Sequence, residues 1–244
     1  MSRKNQPGYR PIWVCCCNTL DPLSAGRLIG VDLDDCHAVV SEVAKLQVPI
    51  PESLSPSTCN GAAWPALILG GQKSGKSKRA ELCAKAWLAQ DATHRAIYVA
   101  TGQAWDAEMQ SRIARHQCDR ALRVPGLATV EAPLHLAQAL QQYSNAQTLL
   151  VVDCLTMWLT NWLMPMPDTP PEGDWSSQRA QLLSALAAAP GPVVVVGNEI
   201  GWGVIPMGAQ VRHFVDSLGA LNQDVAAVCQ SVTLMAAGLP MVLK

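Results

Sequence analysis

Beyond residue 65 the apolar residues of this chain gather into short unbroken runs bounded by turn residues, a pattern absent from the preceding stretch. The runs 66–69, 96–100, 149–153 and 193–197 have the length and continuous apolarity of strands buried on both faces. Helical periodicity lies between them. Residues 77–90 place Ala80, Cys83, Ala86 and Trp87 on one face, and 105–117 and 134–143 also read as helices. The longest, 209–230, sets Val211, Phe214, Val215, Leu218, Leu221, Val225 and Val228 at spacings of three and four. Strands alternating with helices predict an α/β fold, a mostly parallel sheet joined by right-handed crossovers. The runs 232–235 and 241–243 flank Gly238-Leu239-Pro240 and read as an edge hairpin turning there.

Residues 1–64 read as an N-terminal extension to a domain at 65–244. Pro49, Pro51 and Pro56 among Ser53, Ser55, Ser57 and Thr58 mark a linker. Residues 32–45 could form a short helix. The neighbouring side chains of Cys15, Cys16 and Cys17 diverge, which argues against one shared metal, and the segment reads as a poorly ordered extension. The chain carries nine cysteines and no Cys-x-x-Cys pair, so neither a disulfide framework nor a zinc ribbon is expected, and a reducing cytoplasm fits. The start of the chain lacks a signal-peptide core, and no stretch approaches the ~20 apolar residues of a membrane span. A formal net charge of -1 gives no basic face for nucleic acid.

Gly70-Gly71-Gln72-Lys73-Ser74-Gly75-Lys76-Ser77 satisfies Gly-x-x-x-x-Gly-Lys-[Ser/Thr] between an expected strand and an expected helix, the context a phosphate-binding loop requires. Glycines let successive N–H groups turn toward phosphate oxygens, and the helix N-terminus adds partial positive charge. Lys76 would reach the β- and γ-phosphates, and the Ser77 hydroxyl would ligate Mg²⁺. Asp153 closes an apolar strand, as a Walker-B aspartate does, and is the second expected Mg²⁺ ligand. An aspartate there could otherwise serve as a helix cap.

Other segments narrow the field. Tyr98-Val99-Ala100-Thr101-Gly102-Gln103 precedes Asp106-x-Glu108-Met109 and Arg112-Ile113-Ala114-Arg115-His116. Thr129-Val130-Glu131, Asp153-Cys154-Leu155-Thr156 and Asn198-Glu199-x-Gly201-x-Gly203-x-x-Pro206 follow. Arg212-x-Phe214-x-Asp216-x-x-Gly219-x-Leu221-Asn222-Gln223 and Ala237-Gly238-Leu239-Pro240 complete the series. In this order, from about residue 66 to the end, the chain resembles the bifunctional adenosylcobinamide kinase/adenosylcobinamide-phosphate guanylyltransferases of cobalamin assembly.

The resemblance implies a RecA-like P-loop fold and two reactions. ATP or GTP phosphorylates the aminopropanol hydroxyl of adenosylcobinamide, and GTP then donates GMP to that phosphate. It places the guanylylated histidine at His116. It assigns nucleotide contacts to Thr101, Gly102 and Gln103, to Gln117, Cys118, Asp119 and Arg120, and to Glu131 and Asp153. It also implies a homo-oligomer, a trimer. Two departures stand out: the stretch between Arg120 and Glu131 is about three residues longer than usual, and Leu127 replaces a common Trp.

A neutral imidazole is a good nucleophile near pH 7, and Arg112 and Arg115 stand near His116 to meet phosphate charge. On its own chemistry His116 reads rather as a surface histidine at a helix C-terminus, favoured there by the dipole, and it is the resemblance that turns the reading to catalysis. His37, His94, His135 and His213 lack such surroundings. Glu199 falls at the sheet's carboxyl edge, where it could serve the cobinamide side or a metal. Asn222 and Gln223 could face substrate or make internal hydrogen bonds. Two other readings compete: a small-molecule P-loop kinase without guanylyl transfer, which would not need His116, and a RecA relative acting on nucleic acid.

Overall fold

The computed structural model describes residues 63–103, 107–165 and 170–244. The extension, its triple cysteine and the Pro/Ser linker lie outside the described residues. Seven strands form one sheet in the order β3-β2-β4-β5-β1-β6-β7. They are β1 (Ala66–Gly70), β2 (Arg95–Ala100), β3 (Leu127–Glu131), β4 (Thr148–Asp153), β5 (Val193–Val196), β6 (Ser231–Ala236) and β7 (Leu239–Val242). The first six in that order pair in parallel, and β7 runs antiparallel on β6. This is the mostly parallel α/β sheet that the unbroken apolar runs predict.

The helices are α1 (Lys76–Leu88), α2 (Ala107–Arg123), α3 (Leu136–Tyr143), α4 (Leu155–Leu163), α5 (Trp175–Ala187) and α6 (Ala209–Val228). The strand pleat divides the core. Leu67, Leu69, Leu150, Val152, Val193 and Val195 face one side with residues of α3, α4, α5 and α6. Ile68, Leu149, Val151, Val194 and Val196 face the other, against Ala80, Cys83 and Ala84 of α1. All four valines of β5 are fully buried, each worth about 1.5–3 kcal/mol relative to exposure.

The structure departs from the sequence reading at four places. First, α2 continues to Arg123, so His116 lies within the helix rather than near its C-terminal end. Gln117, Asp119 and Arg120 hide the continuation, because the side chain buried there among the described residues, Arg120, is not apolar. Second, β3 is a half-exposed edge strand, without the apolar run of a central one. Third, α4 and α5 add helices between β4 and β5, with Asp174 capping α5 by accepting the Ser177 N–H at 3.0 Å. Fourth, the hairpin turns at Ala237-Gly238 rather than at Gly238-Leu239-Pro240. Both turn residues have positive φ, 51° and 82°, as a two-residue type I′ turn requires, and Pro240 lies in edge strand β7 opposite Met235.

Candidate active site

The phosphate-binding loop leaves the carboxyl end of β1 and enters α1 without a side-chain cap or an acidic residue in the first turn. The first N–H groups of that helix therefore point outward unpaired within it, a ready anion site. The β6–β7 hairpin sets the loop's shape. At Gly70 (φ 148°) a Cβ would lie 2.4 Å from the Met235 carbonyl oxygen. At Gly75 (φ 101°) it would meet Gly238 Cα at 3.3 Å, and the Gly238 N–H donates to Ser74 O at 3.0 Å. The closing Ala237-Gly238 motif is thus a buttress for the loop. Lys73 takes a left-handed φ of 56°, and Gly71, Gln72 and Lys73 are exposed. Lys76 is buried and its Nζ donates to Gly71 O at 2.6 Å. Burial lowers its pKa from the ordinary lysine value, and the Asp153 carboxylate opposes that shift. Ser77 is half-buried on the first turn of α1.

Asp153 ends β4, and its Oδ2 accepts the Tyr98 hydroxyl at 2.8 Å. Burial, followed by the Asp153 charge, pushes the Tyr98 phenol well above its usual pKa, so it stays a donor. The Asp153–Cys154 peptide is cis. The buried Thr101 hydroxyl donates to Cys154 O and accepts the Cys154 N–H, both at 2.7 Å. Asn161 Nδ2 in turn holds Thr101 O and Pro133 O, both at 2.8 Å. Thr101 therefore spends its side chain fixing the strand end that carries Asp153. Gly102 and Gln103 beside it are half-buried. Burial, then the Asp153 charge, raises the Cys154 thiol to about 12, which removes it as a nucleophile near pH 7.

Glu131 ends β3. It and Asp153 both pair with Ala100, from opposite sides, which separates them by two strand spacings, about 10 Å. Exposed Glu131 thus lies outboard of the phosphate loop along the same carboxyl edge.

His116, Gln117 and Asp119 are exposed on α2, and the side chains of Arg112, Arg115 and Cys118 lie outside the described residues. Arg120, one turn beyond His116, points inward: it is 5 % exposed and its guanidinium stacks 3.6 Å from the Tyr98 ring centroid. Arg123 Nη2 donates to Glu81 Oε1 at 3.2 Å, and its Nε makes an ion-pair contact with Oε2 at 2.6 Å. Asp153, Tyr98 and Arg120 thus form a chain of contacts from the strand end to α2, which the Arg123–Glu81 pair fastens one turn on.

Sequence reasoning gave Tyr98, Glu81 and Arg123 no role. Glu81 carried a signal: it is a charged residue between Ala80 and Cys83 on the apolar side of α1 and is 3 % exposed. Glu199 lies beside the cradle, its N–H donating to Gly70 O at 3.1 Å. Buried Asn222 makes internal hydrogen bonds, its Nδ2 donating to Asn198 O and to Glu199 Oε1, both at 3.0 Å.

Ser77 and Asp153 supply hard oxygen donors, and no group of three or more His, Cys, Asp or Glu side chains competes for a metal among the described residues. That donor set fits Mg²⁺ held partly by substrate phosphates rather than a dedicated protein cage. Among the described residues no helix is long and apolar enough to cross a membrane.

Comparison with known proteins adds independent findings. A family model described as cobinamide kinase / cobinamide phosphate guanyltransferase matches residues 66–243. The bifunctional adenosylcobalamin biosynthesis protein CobP of Pseudomonas aeruginosa is 46% identical over 179 residues, covering 73% of this chain and 96% of that protein. The protein CobU of Escherichia coli, of the same bifunctional description, is 33% identical over 187 residues, covering 73% of this chain and 98% of its own length. The CobU protein of Salmonella typhimurium is 31% identical over 187 residues, with the same coverage of both chains. The matched residues hold the phosphate loop, Asp153 and the helix bearing His116, and the chain belongs to the cobinamide kinase / cobinamide phosphate guanyltransferase family.

Proposed function

We propose that a single phosphate cradle serves two successive transfers: phosphorylation of adenosylcobinamide by ATP or GTP, and transfer of GMP from GTP to the resulting phosphate through His116. The observation that carries this reading is the uncapped N-terminus of α1 behind residues 70–77, in a chain matched by the family over residues 66–243. The backbone of residues 70–77 and Lys76 hold the β- and γ-phosphates. Ser77 and Asp153 would hold Mg²⁺, which when bound supplies charge to the phosphates. Gly102, Gln103, Gln117, Cys118, Asp119, Arg120 and Glu131 belong to the nucleotide side of this site. Arg120 contributes through its seat on Tyr98.

In the guanylyl step a neutral imidazole nitrogen of His116 forms a bond to the α-phosphorus of GTP. The bond to the bridging oxygen breaks, and its electron pair leaves with pyrophosphate. An oxygen of the acceptor phosphate then takes the GMP, breaking the P–N bond and restoring the imidazole. The position of His116 on an exposed stretch of α2, away from the helix end, supports a role other than a dipole-stabilised surface charge. The exposed Trp202, Val204, Ile205 and Met207, between β5 and α6, support association of copies; whether three assemble is tested by light scattering.

Incubation with α-labelled GTP tests the central step. An acid-labile, base-stable protein adduct is expected, absent in His116→Ala. A persisting adduct in that variant would move the nucleophile elsewhere, and no adduct in either protein would leave a simple kinase. For the metal, Asp153→Asn should raise the Mg²⁺ concentration needed for half-maximal turnover at least tenfold while nucleotide affinity in its absence changes little. An unchanged Mg²⁺ titration removes Asp153 from that role.

A further inference from the structure

Phosphorylation of a hydroxyl requires that the hydroxyl be aimed and that its proton go somewhere, and neither the cradle nor His116 does this. We propose that Glu199 orients the acceptor hydroxyl and takes its proton, and that Asn222 is the positioning residue that holds Glu199 for the task. This rests on the shared-cradle reading above and assigns the part of the site that binds the acceptor.

Placement comes first. The Glu199 N–H on Gly70 O extends the β1–β5 ladder past the strand ends, so Glu199 stands alongside the first residue of the cradle. Its neighbour Asn198 donates to Thr156 Oγ1 through both its backbone N–H (3.1 Å) and its Nδ2 (3.0 Å), three residues beyond Asp153. The segment therefore bridges the phosphate loop and the metal-side strand end, where the γ-phosphate of a bound triphosphate lies.

Orientation comes second. Glu199 Oε1 accepts from Asn222 Nδ2, and the carboxylate has no other hydrogen bond among the described residues, so Oε2 is available to an acceptor. Asn222 is 3 % exposed and its Oδ1 is buried without a partner. Of the carboxylates discussed above, Asp153 is taken as the metal ligand, Glu81 pairs with Arg123, and Glu131 sits about 10 Å outboard of Asp153.

Space comes third. A cavity of about 360 Å³ lies beside Glu199 between α6 and the sheet, lined by Leu69, Gly219, Asn222 and Gln223 and, toward the end of the chain, by Val232 and Lys244. It suits a short apolar arm ending in a hydroxyl. In the step proposed, the hydroxyl oxygen bonds to the γ-phosphorus, and the bond from that phosphorus to the β,γ-bridging oxygen breaks. The electron pair leaves with the nucleoside diphosphate, and the hydroxyl proton passes to Glu199. In the second reaction the acceptor is an ionised phosphate with no proton to remove, and Glu199 has no part in it.

The test is a reciprocal separation. Glu199→Gln should lower kcat for phosphorylation of adenosylcobinamide by about 10²- to 10⁴-fold. The GMP–protein adduct and guanylyl transfer to pre-formed adenosylcobinamide-phosphate should stay at wild-type rates, with the KM for the phosphoryl donor unchanged. Asn222→Ala should lower the same kcat by about tenfold without moving the donor's KM, a split that a general packing defect does not produce. Wild-type phosphorylation by Glu199→Gln would overturn the proposal, as would equal loss of both activities at an unchanged thermal midpoint. If Glu199→Gln does not fold, Glu199→Asp decides: a kcat loss confined to phosphorylation supports the role, and an unaltered kcat removes it. Failure of the shared-cradle reading would show instead in Lys76→Ala sparing one activity, whatever Glu199→Gln does.

Discussion

The phosphate cradle and helix α2 carry the two halves of the proposed chemistry, and they are held in place by opposite means. The cradle is wedged into the body. The Met235 carbonyl and the 237–238 turn press on Gly70 and Gly75, and Ser74, Lys76 and Arg79 are buried. Of the described side chains on α2 only Arg120 is buried, and Arg123 reaches Glu81 one turn later. A cradle made of backbone tolerates little change of shape, and every reaction of a nucleoside triphosphate passes through it. A helix whose described anchors, Arg120 and Arg123, are side chains in its last turns can serve one reaction without the other.

Lys76→Ala against His116→Ala puts this contrast at its sharpest. Lys76→Ala should lower both activities by about 10²-fold or more, because both reactions place their phosphates in the same loop. His116→Ala should abolish guanylyl transfer, by several orders of magnitude, and retain most of the kinase activity, since phosphoryl transfer needs no covalent intermediate. The measurements are phosphate transfer to adenosylcobinamide and pyrophosphate release from GTP with adenosylcobinamide-phosphate. Guanylylation at the wild-type rate in Lys76→Ala would break the shared cradle, and loss of both activities in a folded His116→Ala would give α2 a part in the kinase step.

Gly70→Ala and Leu122→Ala compare the same two regions in stability. The Gly70 methyl would sit 2.4 Å from a backbone carbonyl that has no room to withdraw, so a loss of about 1–3 kcal/mol is expected. Leu122 on α2 is 78 % exposed, and its truncation should stay within about 0.5 kcal/mol. Urea unfolding of both variants checks the pair. A Gly70→Ala protein as stable as wild type would mean that the β6–β7 hairpin yields, and that its contact with the loop is incidental.

The same difference in construction governs what the sequence discloses. The cradle is written in local backbone requirements, so its glycines, lysine and serine are legible as a string, and the valine run of β5 declares a doubly buried strand. The buttress behind the cradle is not legible, because it joins Gly70 to Met235, far apart in the chain. The length of α2 is hidden for a related reason. Beyond His116 the side chain that α2 buries, among the described residues, is the charged Arg120, so no buried apolar position marks the continuation and the reading ends at residue 117. His116 can be singled out only through the motifs around it, and its place within the helix comes from the structure. Tyr98 reads as an ordinary strand residue until pairing brings it to Asp153.

The smallest effect concerns the fastening of α2 at Glu81. Burial raises the Glu81 carboxyl above its ordinary pKa, and Arg123, then Arg120, oppose that shift without overcoming it. The sign follows from linkage. A carboxyl that binds its proton more tightly in the folded state adds stability below the ordinary glutamate range and loses it as pH rises through the raised value. Glu81→Gln keeps the shape, removes the titration and leaves Arg123, itself partly exposed, free to turn to water. Relative to wild type, the thermal midpoint of Glu81→Gln should therefore climb as the pH rises above the ordinary glutamate range, by a few degrees at most. Formation of the GMP adduct should change little, because Arg120 on Tyr98 still seats the helix next to His116. A midpoint difference that is flat across this range, or falls with pH, would mean that the arginines outweigh burial. The outer helix would then be held by a net attractive ion pair, and the two regions would differ less in construction than the geometry indicates.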